Sequence, residues 1–148
     1  MSLKAGANGE KYAALLDKFY EAEMRYIARG GAQGGASFDE MAVCFHPDAA
    51  MHQGPSVPFA GDWEGIAGVE RFFAVLSETW SAADGLDVKY FVGEDGIAVS
   101  MRVQLTSRAT GKKVDGHLGQ FITFDDGLIR DFTVFYLDPV EISEACAI

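Results

Sequence analysis

Histidine is the side chain of this sequence best suited to proton transfer near neutral pH, and one of the three histidines ends an apolar run. Ala49-Ala50-Met51-His52-Gln53 predicts a short strand that finishes on two polar side chains. Histidine can act as a general base because its ordinary pKa is about 6.5. Glutamine can orient a carbonyl or hydroxyl group but cannot take a proton. His52 is therefore the candidate catalytic base.

Strand alternation sends His52 and Gln53 to opposite faces. Met51 shares a face with Gln53, which favours Gln53 inward and His52 outward or toward a partner, whereas a bulge would reverse this. We expect His52 at the edge of any cavity beside this strand. His46 and His117 are interpreted as surface, structural or interface residues. The three histidines have no carboxylate at ligand spacing, so no metal site is predicted.

The first half of the chain predicts three helices. Apolar residues recur with the helical period over 12–27, and Gly30-Gly31 ends that helix before a small flexible loop. Ser37-Phe38-Asp39-Glu40 predicts a capping box at the start of a second helix, which ends before Pro47. A third helix carries an apolar stripe from Ile66 to Trp80.

The second half predicts an antiparallel sheet. Val99, Met101, Val103 and Leu105 alternate with polar residues, as in a half-buried strand. Three turn signals separate the strands: Asp95-Gly96, Thr110-Gly111-Lys112 and Asp125-Asp126-Gly127. The simplest arrangement is a four-stranded meander from about Leu86 to Leu137. Gly116 and Gly119 within a strand indicate bending, and a bent sheet over helices leaves a conical cavity.

Composition excludes several classes of partner. The 148 residues suit a single domain, and a hydrophobic fraction of 49 % provides a sizeable core. A net charge of -10 disfavours nucleic acid and anionic membrane surfaces. No apolar run is long enough to span a bilayer. Cys44 and Cys146 are interpreted as reduced thiols, which suits a cytoplasmic location.

The order of several short motifs resembles the nuclear transport factor 2-like superfamily, in its SnoaL-like and ketosteroid isomerase-like branch. The motifs are Phe19-Tyr20-Glu21-Ala22, Phe45-His46-Pro47-Asp48-Ala49, Gly61-Asp62-Trp63-Glu64-Gly65, Asp126-Gly127-Leu128-Ile129 and Tyr136-Leu137-Asp138. The resemblance covers about Tyr12 to Pro139. It implies an α+β, cystatin-like cone in which three N-terminal helices pack on a strongly curved antiparallel sheet that encloses a pocket. We expect one domain over residues 1–148, with its core at about 10–139.

The resemblance also implies a set of cavity residues, and it casts doubt on the isomerase chemistry. In the isomerase branch a carboxylate base moves a proton, while a tyrosine and a protonated carboxylic acid hold the enolate oxygen. The base position falls on Gln53 and the acid position on Gln120. The tyrosine position falls near Tyr20, with Glu23 as the alternative. Because neither amide can take a proton, the isomerase mechanism as such is not expected.

Two further parts of the predicted pocket come from the last strand and from a tryptophan. Phe132, Val134 and Tyr136 share one strand face, which the resemblance places on the cavity. Trp63 lies between two glycines and either is buried for structural reasons or closes the pocket mouth. The predicted ligand-binding residues are Tyr20, Gln53, Trp63, Gln120, Phe132 and Tyr136.

Three functional classes remain open. The chain is a cofactor-independent enzyme of isomerase, cyclase or hydratase type, a non-catalytic binder of a small oxygenated hydrophobic molecule, or a dimerising interaction module. An apolar cavity with a few polar groups favours the first two. We expect a homodimer that packs through the convex sheet face, because Phe135 lies opposite the predicted pocket face and would otherwise be exposed.

Overall fold

The computed structural model describes residues 8–147 as an α+β cone. The helices are α1 (Gly9–Ala28), α2 (Asp39–Ala42), α3 (Gly65–Thr79) and α4 (Pro139–Cys146), with a 3-10 helix at Gly31–Gly34. The strands are β1 (Phe45–Gln53), β2 (Gly61–Glu64), β3 (Trp80–Val92), β4 (Gly96–Ser107), β5 (Lys113–Asp125) and β6 (Leu128–Tyr136). The predicted fold class, with three helices before the main part of the sheet, is confirmed. No helix within 8–147 is both long and apolar enough to cross a bilayer.

The six strands form one open sheet in the order β2-β1-β6-β5-β4-β3. Strands β3 to β6 pair in sequence as the predicted antiparallel meander. Strand β1 pairs antiparallel with β2 but parallel with β6, so the expectation of a wholly antiparallel sheet is wrong at this pair. The long crossover between β1 and β6 allows the parallel pairing, because a tight turn joins only antiparallel neighbours.

An aromatic cluster joins the helices to the concave face of the sheet. The ring centroid of Phe19 in α1 lies 5.4 Å from that of Phe45 in β1, 5.8 Å from that of Phe73 in α3 and 5.6 Å from that of Phe132 in β6. All four side chains are almost fully buried. Burial of this size gives each ring about 2 kcal/mol of stabilisation, so the cluster fixes α1 and α3 against the sheet.

Several element boundaries differ from the predictions. Strand β1 begins at Phe45 rather than Ala49, and β3 begins at Trp80 rather than near Leu86. Trp80 belongs to the strand rather than to the helical stripe, although its side chain is buried as expected. Strand β2 and helix α4 were not predicted. A cap marks the start of α4, where Asp138 accepts a hydrogen bond from the Glu141 amide at 3.3 Å and proline follows.

The connection between α1 and α2 is more ordered than the predicted flexible loop. Its 3-10 helix packs against α3, and Gly31 has a φ of +63° and lies close to Ser77. The predicted capping box does not form. The Ser37 hydroxyl accepts from the Asp39 amide at 3.1 Å, but the Glu40 carboxylate instead pairs with Arg25 at 2.8 Å.

The outer face of the sheet carries exposed aromatic side chains. Phe91, Phe121 and Phe135 are 46 %, 58 % and 56 % exposed. Strand register places Phe91 and Phe121 in one row across β3, β4 and β5. The rings of Phe121 and Phe135 meet edge to face with centroids 5.6 Å apart. These residues form a patch, called here the outer aromatic patch, of the kind that marks interaction surfaces.

Candidate functional site

A cavity of about 420 Å³ lies between the concave face of the sheet and helices α1 and α3. Its walls are mainly apolar and aromatic, and include Ile27, Met51, Phe72, Trp80 and Phe132. The exposed lining residues lie on α1 and β3, so the cavity opens to solvent between these two elements. This volume and composition are typical of small-molecule sites.

Five of the six predicted ligand-binding residues lie together on the cavity wall, and Trp63 does not. The five are Tyr20, Gln53, Gln120, Phe132 and Tyr136. They come from four elements, namely α1, β1, β5 and β6. On the strands, the inward positions follow the predicted alternation, which also sends Phe121 and Phe135 outward. Their part in ligand binding stays a prediction.

Tyr20 and Gln120 form the first polar pair of the cavity. The Tyr20 hydroxyl donates a hydrogen bond to Oε1 of Gln120, whose side chain is buried. Burial raises the pKa of Tyr20, and the nearby negative charge of Glu23 raises it further. The phenol therefore stays protonated, and the Gln120 amide keeps its N–H groups available to a ligand.

Gln53 and Tyr136 form the second pair. Burial and the charge of Glu23 raise the pKa of Tyr136, while a hydrogen bond from the Gln53 amide acts in the opposite direction. The Gln53 side chain is 8 % exposed, and its Oε1 has no hydrogen-bond partner among residues 8–147. Each buried glutamine therefore faces a tyrosine rather than the other glutamine. A ligand that brings a hydrogen-bond donor to this end would satisfy the Gln53 oxygen.

Glu23 is the least exposed of the four acidic residues that line this cavity, the others being Asp17, Glu21 and Asp84. It lies three residues after Tyr20 on the same face of α1, so both candidates for the predicted tyrosine position line the wall. Its side chain is partly buried and faces the cavity space, and desolvation of the carboxyl group there raises its pKa from 4.5 to about 7. Glu23 can therefore exchange a proton near neutral pH.

His52 lies outside the cavity lining rather than at its edge, in the outward direction that strand alternation favoured, and its catalytic role stays a prediction. Strand alternation turns its side chain to the outer face, where β2 and β6 flank it. Its Nδ1 lies 2.7 Å from Oδ1 of Asp62, and its Nε2 lies 3.1 Å from Oδ1 of Asp131. Burial lowers the pKa of His52, but the hydrogen bonds to the two aspartates outweigh it and raise the pKa above 6.5.

Trp63 belongs to the helix-packing region rather than to the cavity mouth. It lies in β2, with its ring centroid 5.8 Å from that of Phe72. Its indole N–H donates to the backbone oxygen of Phe59 at 3.1 Å. Pairing of β2 with β1 fixes this position, and because β2 was not predicted, the direction of the ring could not be foreseen.

The described part of the chain shows no group of three histidine, cysteine or carboxylate side chains that could hold a metal ion. The polar side chains that line the cavity are instead three phenols, two amides and four carboxyl groups. These groups can donate hydrogen bonds to a carbonyl oxygen and move a proton.

Comparison with known proteins identifies the family. The sequence pattern of the SnoaL-like domain matches residues 24–132. The chain belongs to the SnoaL-like domain family. This confirms the resemblance to the nuclear transport factor 2-like superfamily in its SnoaL-like branch. No curated protein shows a significant sequence match.

Solved structures share the fold at low sequence identity. A nuclear transport factor 2-like protein from Burkholderia xenovorans LB400 is 12 % identical, with a TM-score of 0.77 over 93 % of this chain and 97 % of its own. A proposed polyketide cyclase from Xanthomonas campestris pv. campestris is 16 % identical, with a TM-score of 0.77 over 95 % and 100 %. TerC, co-crystallised with polyporic acid, is 15 % identical, with a TM-score of 0.76 over 92 % and 98 %. At these identities the likeness concerns the fold alone.

The contacts of His52 predict a pH-dependent contribution to stability. Because its pKa is raised on folding, the stabilisation by Asp62 and Asp131 is complete below about pH 6.5 and is lost as pH rises through the raised value. His52→Asn should therefore cost about 1 kcal/mol of unfolding free energy near pH 5.5, and less near pH 8.5. Urea unfolding at the two pH values measures this difference.

Asp62→Asn is the matched variant, because it removes one of the two partners and keeps the histidine. Asp62→Asn should also lower the unfolding free energy more at pH 5.5 than at pH 8.5, but by less than His52→Asn does. An equal cost of His52→Asn at both pH values would contradict the ion-pair interpretation.

Proposed function

We propose that this SnoaL-like protein is a cofactor-independent enzyme that moves a proton on a small, largely apolar, oxygenated molecule, with Glu23 as the group that carries the proton. The observation that supports this most is the carboxyl group of Glu23 inside an apolar cavity, with a pKa of about 7. A general base works best when its pKa lies near the working pH. The proposal replaces His52 by Glu23 in the catalytic role.

The reaction proposed for the cavity is proton abstraction next to a carbonyl group. The Glu23 carboxylate takes a proton from the α carbon, and the electron pair of the C–H bond moves onto the carbonyl oxygen to give an enolate. The Tyr136 hydroxyl, which lies beside Gln53 on the same cavity wall, can donate its proton in a hydrogen bond to the enolate oxygen. For isomerisation, Glu23 then returns the proton to another carbon. For cyclisation, the enolate carbon attacks a second carbonyl carbon, the electron pair of that C=O bond moves onto its oxygen, and this oxygen takes the proton from Glu23.

The two glutamines fit this mechanism as orienting groups rather than as acids or bases. Gln120 accepts from Tyr20, and its N–H groups can bind a second oxygen of the ligand. Among solved structures with this fold, one protein is a proposed polyketide cyclase and another, from Rhodopseudomonas palustris, a proposed isomerase. Both are reactions that a carboxylate base and hydrogen-bond donors to an oxyanion can catalyse.

Replacing Glu23 tests the proposed base directly. The probe is 2-tetralone, a small apolar ketone, and the measurement is exchange of its α protons in D₂O by NMR. We expect the wild-type chain to accelerate exchange, with the rate rising with pH and reaching half its maximum near pH 7, because the unprotonated carboxylate is the base. Glu23→Gln should lower the accelerated rate by about 100-fold or more.

Glu10→Gln is the control, because Glu10 lies on the same helix but does not line the cavity. It should exchange 2-tetralone as the wild type does. An unchanged rate in Glu23→Gln would contradict the proposed role. Binding of 2-tetralone without any exchange would support the non-catalytic binder, which the unpartnered Gln53 oxygen favours, and Gln53→Ala should then weaken that binding.

We also propose that the chain is a homodimer and forms a single cytoplasmic domain with its core at about 10–139. One continuous sheet supports a single domain, and the free thiols of Cys44 and Cys146 support a reducing compartment.

The outer aromatic patch supports the dimer. A second copy presents the same patch, and a two-fold axis lets the two patches cover each other.

Mass measurement by light scattering checks the homodimer. We expect about 32 kDa for the wild type, which is twice the chain mass of 16.0 kDa. Phe121→Asp should shift the mass toward 16.0 kDa, because it places a charge at the centre of the patch. Val43→Asp changes an equally exposed apolar residue outside the patch and should leave the dimer intact. A wild-type mass of one chain would refute the assembly.

A further inference from the structure

The charged side chains that line the cavity all have the same sign within the described residues. Between residues 8 and 147 the lining includes four acidic residues, Asp17, Glu21, Glu23 and Asp84, and no lysine, arginine or histidine. Asp17, Glu21 and Asp84 are exposed at the opening between α1 and β3, and Glu23 lies inside. A negative ligand entering this cavity meets several like charges and finds no cationic partner.

Aromatic rings accompany the carboxylates near this opening. The Tyr90 hydroxyl donates to Oδ1 of Asp17 at 2.6 Å, and its ring centroid lies 6.5 Å from that of Tyr20. Burial raises the pKa of Tyr90, so the phenol stays neutral beside the carboxylate. Carboxylates together with aromatic ring faces attract ammonium groups through charge and cation–π contact.

The inner end of the cavity has a different character. Beside Glu23, its hydrogen-bonding groups are the neutral side chains of Tyr20, Gln53, Gln120 and Tyr136, and Gln53 Oε1 has no partner within residues 8–147. Such groups recognise uncharged oxygen functions and offer no charge to neutralise an anion. Between the two ends the lining is apolar.

We propose that the ligand of this cavity is an uncharged carbonyl compound or one that carries a protonated amine at its outer end, and that carboxylates and phosphates are excluded. The inference rests on the proposed function in that it names the substrate class of the same cavity. The selection by charge depends on the carboxylates at the mouth, Asp17, Glu21 and Asp84, and not on whether Glu23 transfers a proton. The mouth therefore selects ligands by charge, and the inner end orients them by hydrogen bonds.

Three probes of one size and different charge test this selection by calorimetry near pH 7.5. They are 2-naphthylmethylamine, 2-naphthylmethanol and 2-naphthoate. We expect the amine to bind most tightly and the carboxylate most weakly, with at least tenfold between them at low salt, because each carboxylate at about 6 Å changes affinity by about threefold in water. The ratio should shrink as salt is added.

The double variant Glu21→Gln with Asp84→Asn removes two charges at the mouth. It should narrow the ratio of amine to carboxylate affinity by about tenfold or more and leave the affinity for the alcohol unchanged. The control is Glu10→Gln with Glu94→Gln, which changes net charge equally at residues outside the cavity lining and should preserve most of the wild-type ratio.

Three outcomes would overturn the inference. The first is that 2-naphthoate binds as tightly as the amine or more tightly, and the second is that the control variant narrows the affinity ratio as much as the mouth variant does. The third is that none of the three probes binds. These outcomes are independent of proton transfer, because the calorimetry contains no turnover. Conversely, an unchanged exchange rate in Glu23→Gln would remove the proposed base and leave the charge selection standing.

Discussion

The burial of one carboxyl group, Glu23, is the constraint on which the account of this protein depends. Helix α1 places Glu23 on the wall of the largely apolar cavity, where its carboxyl group is partly removed from water. The pKa of this carboxyl group rises from 4.5 to about 7. Ionisation of Glu23 at higher pH therefore costs up to about 3 kcal/mol of unfolding free energy, a cost that develops as pH rises from about 4.5 through 7. The aromatic packing of Phe19 and its neighbours offsets a cost of this size.

The two tyrosine–glutamine pairs give a physical reason for amides at positions where the isomerase branch has carboxylates. If acidic residues replaced Gln53 and Gln120, they would place further negative charges beside Glu23. The repulsion between these charges would raise the pKa of each carboxyl group. Neutral amides and phenols fill these positions with hydrogen-bonding groups and leave Glu23 as the one titrating carboxyl group of the inner cavity. The same neutrality leaves the acidic mouth as the main determinant of ligand charge.

Much of the fold could be predicted from local sequence. Alternation on β6 put Phe132 and Tyr136 on one face and Phe135 on the other, the resemblance placed Gln120 inward on β5, and the Asp-Gly and Thr-Gly turns located the hairpins. The parallel pairing of β1 with β6 and the short β2 could not be predicted, because they depend on contacts between distant segments. Strand alternation correctly favoured an outward direction for the His52 side chain. Its expected place at the cavity edge came from the search for a catalytic base next to Gln53.

The role proposed for Glu23 had a local signal that periodicity could have revealed. Tyr20, Glu23 and Ile27 are three and four residues apart on one face of α1, so a glutamate lies within an inward stripe. The depth of its burial depends on how the sheet curves over the helix, which the sequence does not encode locally. The raised pKa follows only from that three-dimensional surrounding.

Direct titration of Glu23 tests the central claim. Carbon-13 NMR of the side-chain carboxyl carbons, with Glu23→Gln used to assign the Glu23 signal, gives its pKa in the folded chain. We predict a titration midpoint near pH 7 for Glu23, well above the midpoints of exposed glutamates. A midpoint near the ordinary value of 4.5 would show that the cavity does not desolvate the carboxyl group, and it would contradict the account.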